Sequence, residues 1–156
     1  MDYYKDYALE WYRYGLEKSD EAIVKFMMHW VAFNWLYSSL SKLVGEDLRE
    51  AEAIRLFCEE NYEKLSRYDP FTSDSFQIFL KEPVKDERSG SENRRLYENL
   101  KRKTGLEKVK ALLLTIYQVR CNLFHGSKSL RIDRDVELVR ASSVILEGYL
   151  KAYWDI

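Results

Sequence analysis

Leu106, Val109, Leu113 and Ile116 recur at three- and four-residue spacings, and the same stripe runs on into Arg120 and Leu123. That periodicity belongs to a helix with one buried face. A buried stripe that continues into a guanidinium constrains everything packed around it, because an unpaired charge taken out of water is expensive. Arg120 therefore demands a partner, a second subunit or an anionic ligand. His125 follows at the expected helix exit, next to Gly126, a residue suited to ending a helix in the left-handed conformation. An arginine for phosphate and a histidine for proton transfer are the parts of a hydrolytic site.

The rest of the chain supports a helical context. A first helix is expected over about 2–16, with Tyr3, Tyr7, Trp11 and Tyr14 on one face. Ser19 or Asp20 is expected to cap a long second helix, in which Phe26, Trp30, Phe33, Tyr37, Leu40 and Val44 form one stripe and Ile23, Met27, Val31 and Trp35 widen it. Gly45 ends it. A third helix is expected over about 46–66, its Ala53, Leu56, Phe57, Tyr62 and Leu65 inward and its acidic residues in water. Residues 68–92 hold both prolines and read as a mobile connection, with Phe76, Ile78, Phe79 and Leu80 available for a short helix over the core. Further helices are expected over about 92–102, 106–125 and, from a cap at Asp133 or Asp135, to the end of the chain.

With only 6 Gly and 2 Pro among 156 residues, the chain has little material for the many turns of an all-β fold. The expectation is a single all-α domain over 1–156, an up-down bundle of about five to six helices. The amino terminus does not read as a signal peptide, and no apolar run is long enough for a membrane span, so a cytoplasmic setting without membrane contact is expected. Cys58 and Cys121 form neither a metal-type pair nor a disulfide framework.

Charge is divided along the chain. Residues 1–93 carry 12 Lys and Arg against 19 Asp and Glu, a net −7, whereas residues 94–156 carry 13 against 7, a net +6. Solvated helix faces can differ in this way by accident. The other reading is an electrostatic footprint for a polyanion, with Lys128 and Arg131 in reach of RNA.

Five residues on an ideal helix turn through about 500°, which leaves Arg120 and His125 about 140° apart unless the helix ends between them. RNA cleavage needs a base for the 2′-hydroxyl, an acid for the leaving 5′-oxygen and cations near the phosphorane. The segment holds one histidine, and the other, His29, sits beside Trp30 in the second helix, where a core role is expected. A two-histidine mechanism therefore calls for a symmetric dimer that brings two copies of this helix end together.

The segment 119–128, Val-Arg-Cys-Asn-Leu-Phe-His-Gly-Ser-Lys, resembles the signature of the HEPN family, an Arg followed four to six residues later by His at the junction of two bundle helices. The aromatic, Asn-containing stretch from Trp30 through Asn34 to Tyr37 is similar to a helix of the same family. The likeness covers residues 20–155 as architecture and some ten residues as motif. It implies a helical-bundle homodimer, with many members acting as metal-independent, cofactor-free endoribonucleases in toxin–antitoxin, antiviral defence and RNA-processing systems. Other members are non-catalytic, or pair with nucleotidyltransferase-like or antitoxin partners. By that resemblance Arg120 is the phosphate-stabilising cation, His125 the general acid/base and Asn122 a supporting group. The chain departs from the family pattern at Cys121, where many members carry a polar residue directly after the Arg. The competing assignments are a non-catalytic module that binds a nucleotide, nucleic acid or protein, and a plain helical scaffold.

Overall fold

A computed structural model describes residues 3–17, 21–45, 47–86, 91–124 and 133–156. Among them are seven helices: α1 (Tyr3–Glu17), α2 (Ala22–Leu43), α3 (Glu50–Leu65), α4 (Asp74–Leu80), α5 (Arg94–Arg102), α6 (Gly105–Phe124) and α7 (Asp133–Trp154). The count exceeds the expected five to six because the short apolar segment in the connection closes into a helix of its own. A two-residue antiparallel pair, β1 (Lys85–Asp86) and β2 (Ser91–Glu92), was not expected from the sequence.

Local chemistry accounts for several helix ends. Gly45, at φ +72°, follows the C-cap of α2, and its N–H donates to the Lys42 carbonyl at 3.1 Å, the left-handed stop that glycine tolerates without a Cβ clash. Ser73 caps α4 by accepting from the Phe76 N–H at 3.2 Å, and Asn93 caps α5 by accepting from the Leu96 N–H at 3.3 Å. At α2 the N-cap position belongs to Glu21, which makes no side-chain cap; the expected caps Ser19 and Asp20 lie outside the described residues. The third helix starts four residues later than expected, after an extended Arg49, and this delay puts Glu50 and Glu52 in its first turn, where the helix dipole favours carboxylates.

Helices α2, α6 and α7 supply most of the core. Phe26, Trp30, Phe33 and Tyr37 of α2 meet Val109, Leu113, Ile116 and Val119 of α6 and Leu138, Ile145 and Tyr149 of α7 in one buried cluster. Burying large side chains of this kind contributes roughly 1.5–3 kcal/mol each relative to exposure. Helix α1 lies on α2, α3 packs on both α2 and α6, α5 on α6, and α4 on α7. Among the described side chains of α1, Ala8 and Tyr12 are buried and Tyr7 is exposed, while the side chains of Tyr3, Trp11 and Tyr14 lie outside the description; on α2 the stripe stops short of Val44, which stands past the helix end and is exposed.

The described part of the 68–92 connection is tied down at several points. The Tyr97 hydroxyl donates to the Leu80 carbonyl at 2.9 Å, and the Arg134 guanidinium donates to the Glu82 carbonyl at 2.9 Å and to the Ile78 carbonyl. Phe76 and Phe79 of α4 are buried, as the apolar pattern anticipated.

Tyr68 covers the one place on α7 without a side chain. A Cβ added at Gly148 would lie 2.2 Å from Tyr68 Cζ, and the Tyr68 ring stands edge-on to Tyr149 with centroids 5.1 Å apart. Overpacking costs about 1–3 kcal/mol, more than the ~1 kcal/mol that alanine returns in helix propensity. Gly148→Ala is therefore expected to lower the urea-unfolding free energy in the natural chain. In a Tyr68→Ala background the same change is expected to raise it by about 1 kcal/mol; an unchanged sign would remove the steric explanation.

Candidate functional site

Helix α6 is buried along most of its length, with Ala111 through Ile116 all inside, and its polar end is where the chemistry collects. Helix α6 is described as far as Phe124, the residue that precedes His125 in sequence. His125, Lys128 and Arg131 lie outside the described residues; Arg120 and Asn122 lie within them.

Arg120 has its counter-charge inside the chain. Its Nη1 donates to Glu50 Oε2 at 3.4 Å, and the two side chains are 19% and 30% exposed. The same carboxylate accepts two tyrosine hydroxyls, from Tyr117 to Oε2 at 3.2 Å and from Tyr37 to Oε1. Aromatic faces complete the surround: the guanidinium carbon is 4.6 Å from the Phe124 ring centroid, 5.7 Å from Trp30 and 5.9 Å from Tyr117. Each such contact is worth ~0.5–1 kcal/mol at an exposed site and about 2 kcal/mol when desolvated. Trp30 and Tyr117 stack nearly parallel, 19° between planes, and so form one wall.

Glu59, Glu60 and Glu63 of α3 are exposed as expected, and Glu50 is the exception. Glu50 faces inward because its helix begins late, directly opposite the end of α6. Hydrogen bonding to its carboxylate and burial both push the Tyr37 hydroxyl far above its ordinary range, burial being the larger cause. The Tyr117 hydroxyl is raised for the same reasons, with burial first and the Cys121 thiol and Glu50 following. Neither tyrosine is ionised near neutral pH, so both remain donors to Glu50. The guanidinium still has spare capacity, since Arg120 Nε is buried without a hydrogen-bond partner among the described residues. Glu50 went unrecognised in the sequence, although a charge on a buried stripe was a signal to look for its opposite.

Asn122, expected as a supporting group, is buried and hydrogen-bonded. It is 2% exposed, its amide nitrogen donates to the Lys85 carbonyl at 2.7 Å, and its carbonyl oxygen accepts from Gln118 at 2.9 Å. Those bonds tie β1 to α6 and leave the group facing protein on both sides. Asn34 accepts from Ser38 at 2.8 Å, one turn along its own helix. Cys121 lies 3.8 Å from Arg120 Nη1 and Cys58 is buried; both are free thiols, and burial pushes Cys58 up to about 12. Among the described residues no three His, Cys, Asp or Glu side chains come together as a metal site. Among those residues no helix is long and apolar enough to cross a membrane.

Several cations beyond residue 93 pair with carboxylates before it: Lys110 with Glu59 at 2.7 Å, Arg134 with Glu82 at 3.3 Å and Arg94 with Glu92 at 2.9 Å.

His29 is a core residue. It is fully buried, its ring stacks on Tyr12 with centroids 4.8 Å apart, and burial pushes its pKa down to about 4 against the opposing pull of Glu147. Lys25 and Lys151, both paired with Glu147, add to the depression.

No protein-family model, curated protein or solved structure matches this chain.

Two measurements follow from this geometry. Glu50→Ala leaves a part-buried cation and the buried Tyr37 hydroxyl without their acceptor, and is expected to cost about 2–4 kcal/mol in urea unfolding. Arg120→Ala, which leaves Glu50 with both tyrosine donors, is expected to cost less than half as much; equal losses would argue against the shared-acceptor account. The second measurement concerns His29. The unfolded chain takes up its proton near pH 6.5, but the folded chain does so only near 4. Its contribution to stability is therefore complete above pH 6.5 and is lost as pH falls from there toward 4, by an amount on the order of 3 kcal/mol. His29→Phe is expected to flatten that part of the stability profile relative to the natural chain, and parallel profiles would show that His29 is not the linked group.

Proposed function

We propose that this chain is an endoribonuclease of the HEPN type, acting without a metal ion or cofactor as a homodimer with a composite Arg/His site. The observation that carries the reading is Arg120 at the tip of α6, one turn before the helix ends beside His125 in sequence, held in place yet still 19% exposed. In this reading one histidine takes the proton of a ribose 2′-hydroxyl as that oxygen attacks phosphorus. The partner copy's protonated histidine gives its proton to the 5′-oxygen as the P–O5′ bond breaks, and a 2′,3′-cyclic phosphate end remains. Arg120 stabilises the charge that builds on the phosphorane oxygens. The Glu50 carboxylate and the rings around the guanidinium hold it ready, so little reorganisation is needed when the phosphate arrives. Lys128 and Arg131 follow the site in sequence and bind RNA backbone; Asn122 supports the site through the β1 tie. The setting is cytoplasmic, in a toxin, defence or RNA-processing system, with an antitoxin or nucleotidyltransferase-like partner as regulator.

One observation favours a second reading. Glu50 already neutralises Arg120, which suits a non-catalytic HEPN-like module that binds a nucleotide, nucleic acid or protein. Cleavage of a mixed RNA substrate in EDTA separates the two. The natural chain is expected to cut, and His125→Ala and Arg120→Ala are each expected to lower the rate by roughly 10²-fold or more while keeping the far-ultraviolet circular dichroism of the parent. Undiminished cleavage by both variants refutes the nuclease reading, and RNA binding without cleavage by the natural chain selects the module.

A further inference from the structure

A second polar site lies beside the first. Helices α3, α5 and α6 enclose an open cavity of about 370 Å³, and Tyr117 lines it while its hydroxyl reaches Glu50. Two arginines stand over it, Arg55 from α3 and Arg95 from α5. Both are exposed, and neither makes an ion pair or side-chain hydrogen bond among the described residues, in contrast to Lys110 in the same wall, which Glu59 and Glu107 neutralise. The Asn99 amide has no partner there either. Gln118 uses its amide nitrogen on Asn122, and its carbonyl oxygen has no partner among the described residues. The floor is apolar, with Ala111 and Leu114 almost fully buried.

We infer that this cavity binds a nucleotide, with the phosphate on Arg55 and Arg95 and the base against Tyr117 and the apolar floor. The chemistry is specific on three counts. Guanidinium groups offer a planar fork of donors that matches phosphate oxygens, and here two of them make no ion pair among the described residues, although Glu107 also lines the cavity. A free primary amide and a free amide carbonyl supply a donor and an acceptor for a base edge. An aromatic ring over aliphatic side chains supplies a surface on which a base packs, in a cavity of the size that small ligands occupy. A bare anion would use the arginines alone; a purely apolar ligand would leave both charges and both amides without purpose. The same chemistry is offered by a free mononucleotide and by one unit of single-stranded RNA. Placement beside Arg120 through the shared Tyr117 suits an RNA strand that continues toward the α6 tip. The site stands whether or not the chain cleaves RNA.

The test is isothermal titration of the full chain with the four ribonucleoside monophosphates, the corresponding nucleosides, inorganic phosphate and a short single-stranded oligoribonucleotide. The chains compared are the natural sequence, Arg55→Ala, Arg95→Ala, the double variant and His125→Ala. Nucleotide binding is expected in the natural chain and in His125→Ala, which separates this site from the cleavage reading. Each single arginine change is expected to raise Kd about five-fold, and the pair about twenty-five-fold. Nucleosides and inorganic phosphate are each expected to bind at least ten-fold more weakly than the nucleotide. An oligoribonucleotide that binds more tightly than any mononucleotide, with the same arginine dependence, identifies RNA as the source; equal affinity identifies the free nucleotide. The inference fails if no mononucleotide or oligonucleotide binds. It also fails if binding ignores both arginine changes, or if inorganic phosphate binds as tightly as the nucleotide. Because both arginines are exposed and unpaired, their removal is expected to leave the thermal unfolding midpoint unchanged, so loss of binding reports on the site.

Discussion

A guanidinium at the end of a buried helix has to meet a negative charge before the helices can close around it. In this protein the carboxylate of Glu50 does so, and its position ties three helices together. Tyr37 comes from α2, Glu50 from α3, and Tyr117 and Arg120 from α6, so one carboxylate gathers two hydroxyls and a cation across the centre of the bundle. The start of α3 is set by the same requirement: a helix begun at the glycine turn would carry Glu50 in its second turn, whereas the extended segment 47–49 makes it the first helical residue. Such an arrangement combines modest terms. A part-exposed ion pair of 3.4 Å is weak alone, and its weight comes from the rings and hydroxyls that share it.

That arrangement also shapes what the α6 tip can do. Desolvated on its aromatic side and neutralised on another, Arg120 is preorganised and restrained at once. An incoming phosphate would share the guanidinium with Glu50 rather than find it unpaired, which makes Glu50 a determinant of how strongly the tip attracts anions. The cavity over α5 differs in this respect. Its two arginines carry no ion-pair partner among the described residues, so the unpaired positive charge among those residues sits beside the motif rather than within its described part.

The polar groups of the core divide into two kinds. Asn122 is satisfied by Gln118 and Lys85, and it converts a connection that reads as loose into one fastened to α6. His29, by contrast, is held neutral by its apolar surroundings and stacks on Tyr12, which makes it a pH-sensitive part of the packing. Both were visible in the sequence as polar residues on apolar helices. Their roles depend on what faces them.

The sequence by itself determined the helical architecture, the order of the long helices, the glycine stop after α2, the short apolar helix and the placement of Arg120 near the end of a helix with a long buried stripe. Those features are local: three- and four-residue periodicity and cap chemistry act within a few turns, so they can be read along the chain. Tertiary structure alone decided that Glu50 answers Arg120 across a separation of 70 residues, that Asn122 holds β1, and that Arg55 and Arg95 overlook one cavity. It also left Val44 in solvent. Pairings of this kind depend on how the helices are rotated and spaced when they pack, and that geometry is a property of the whole core rather than of any segment within it.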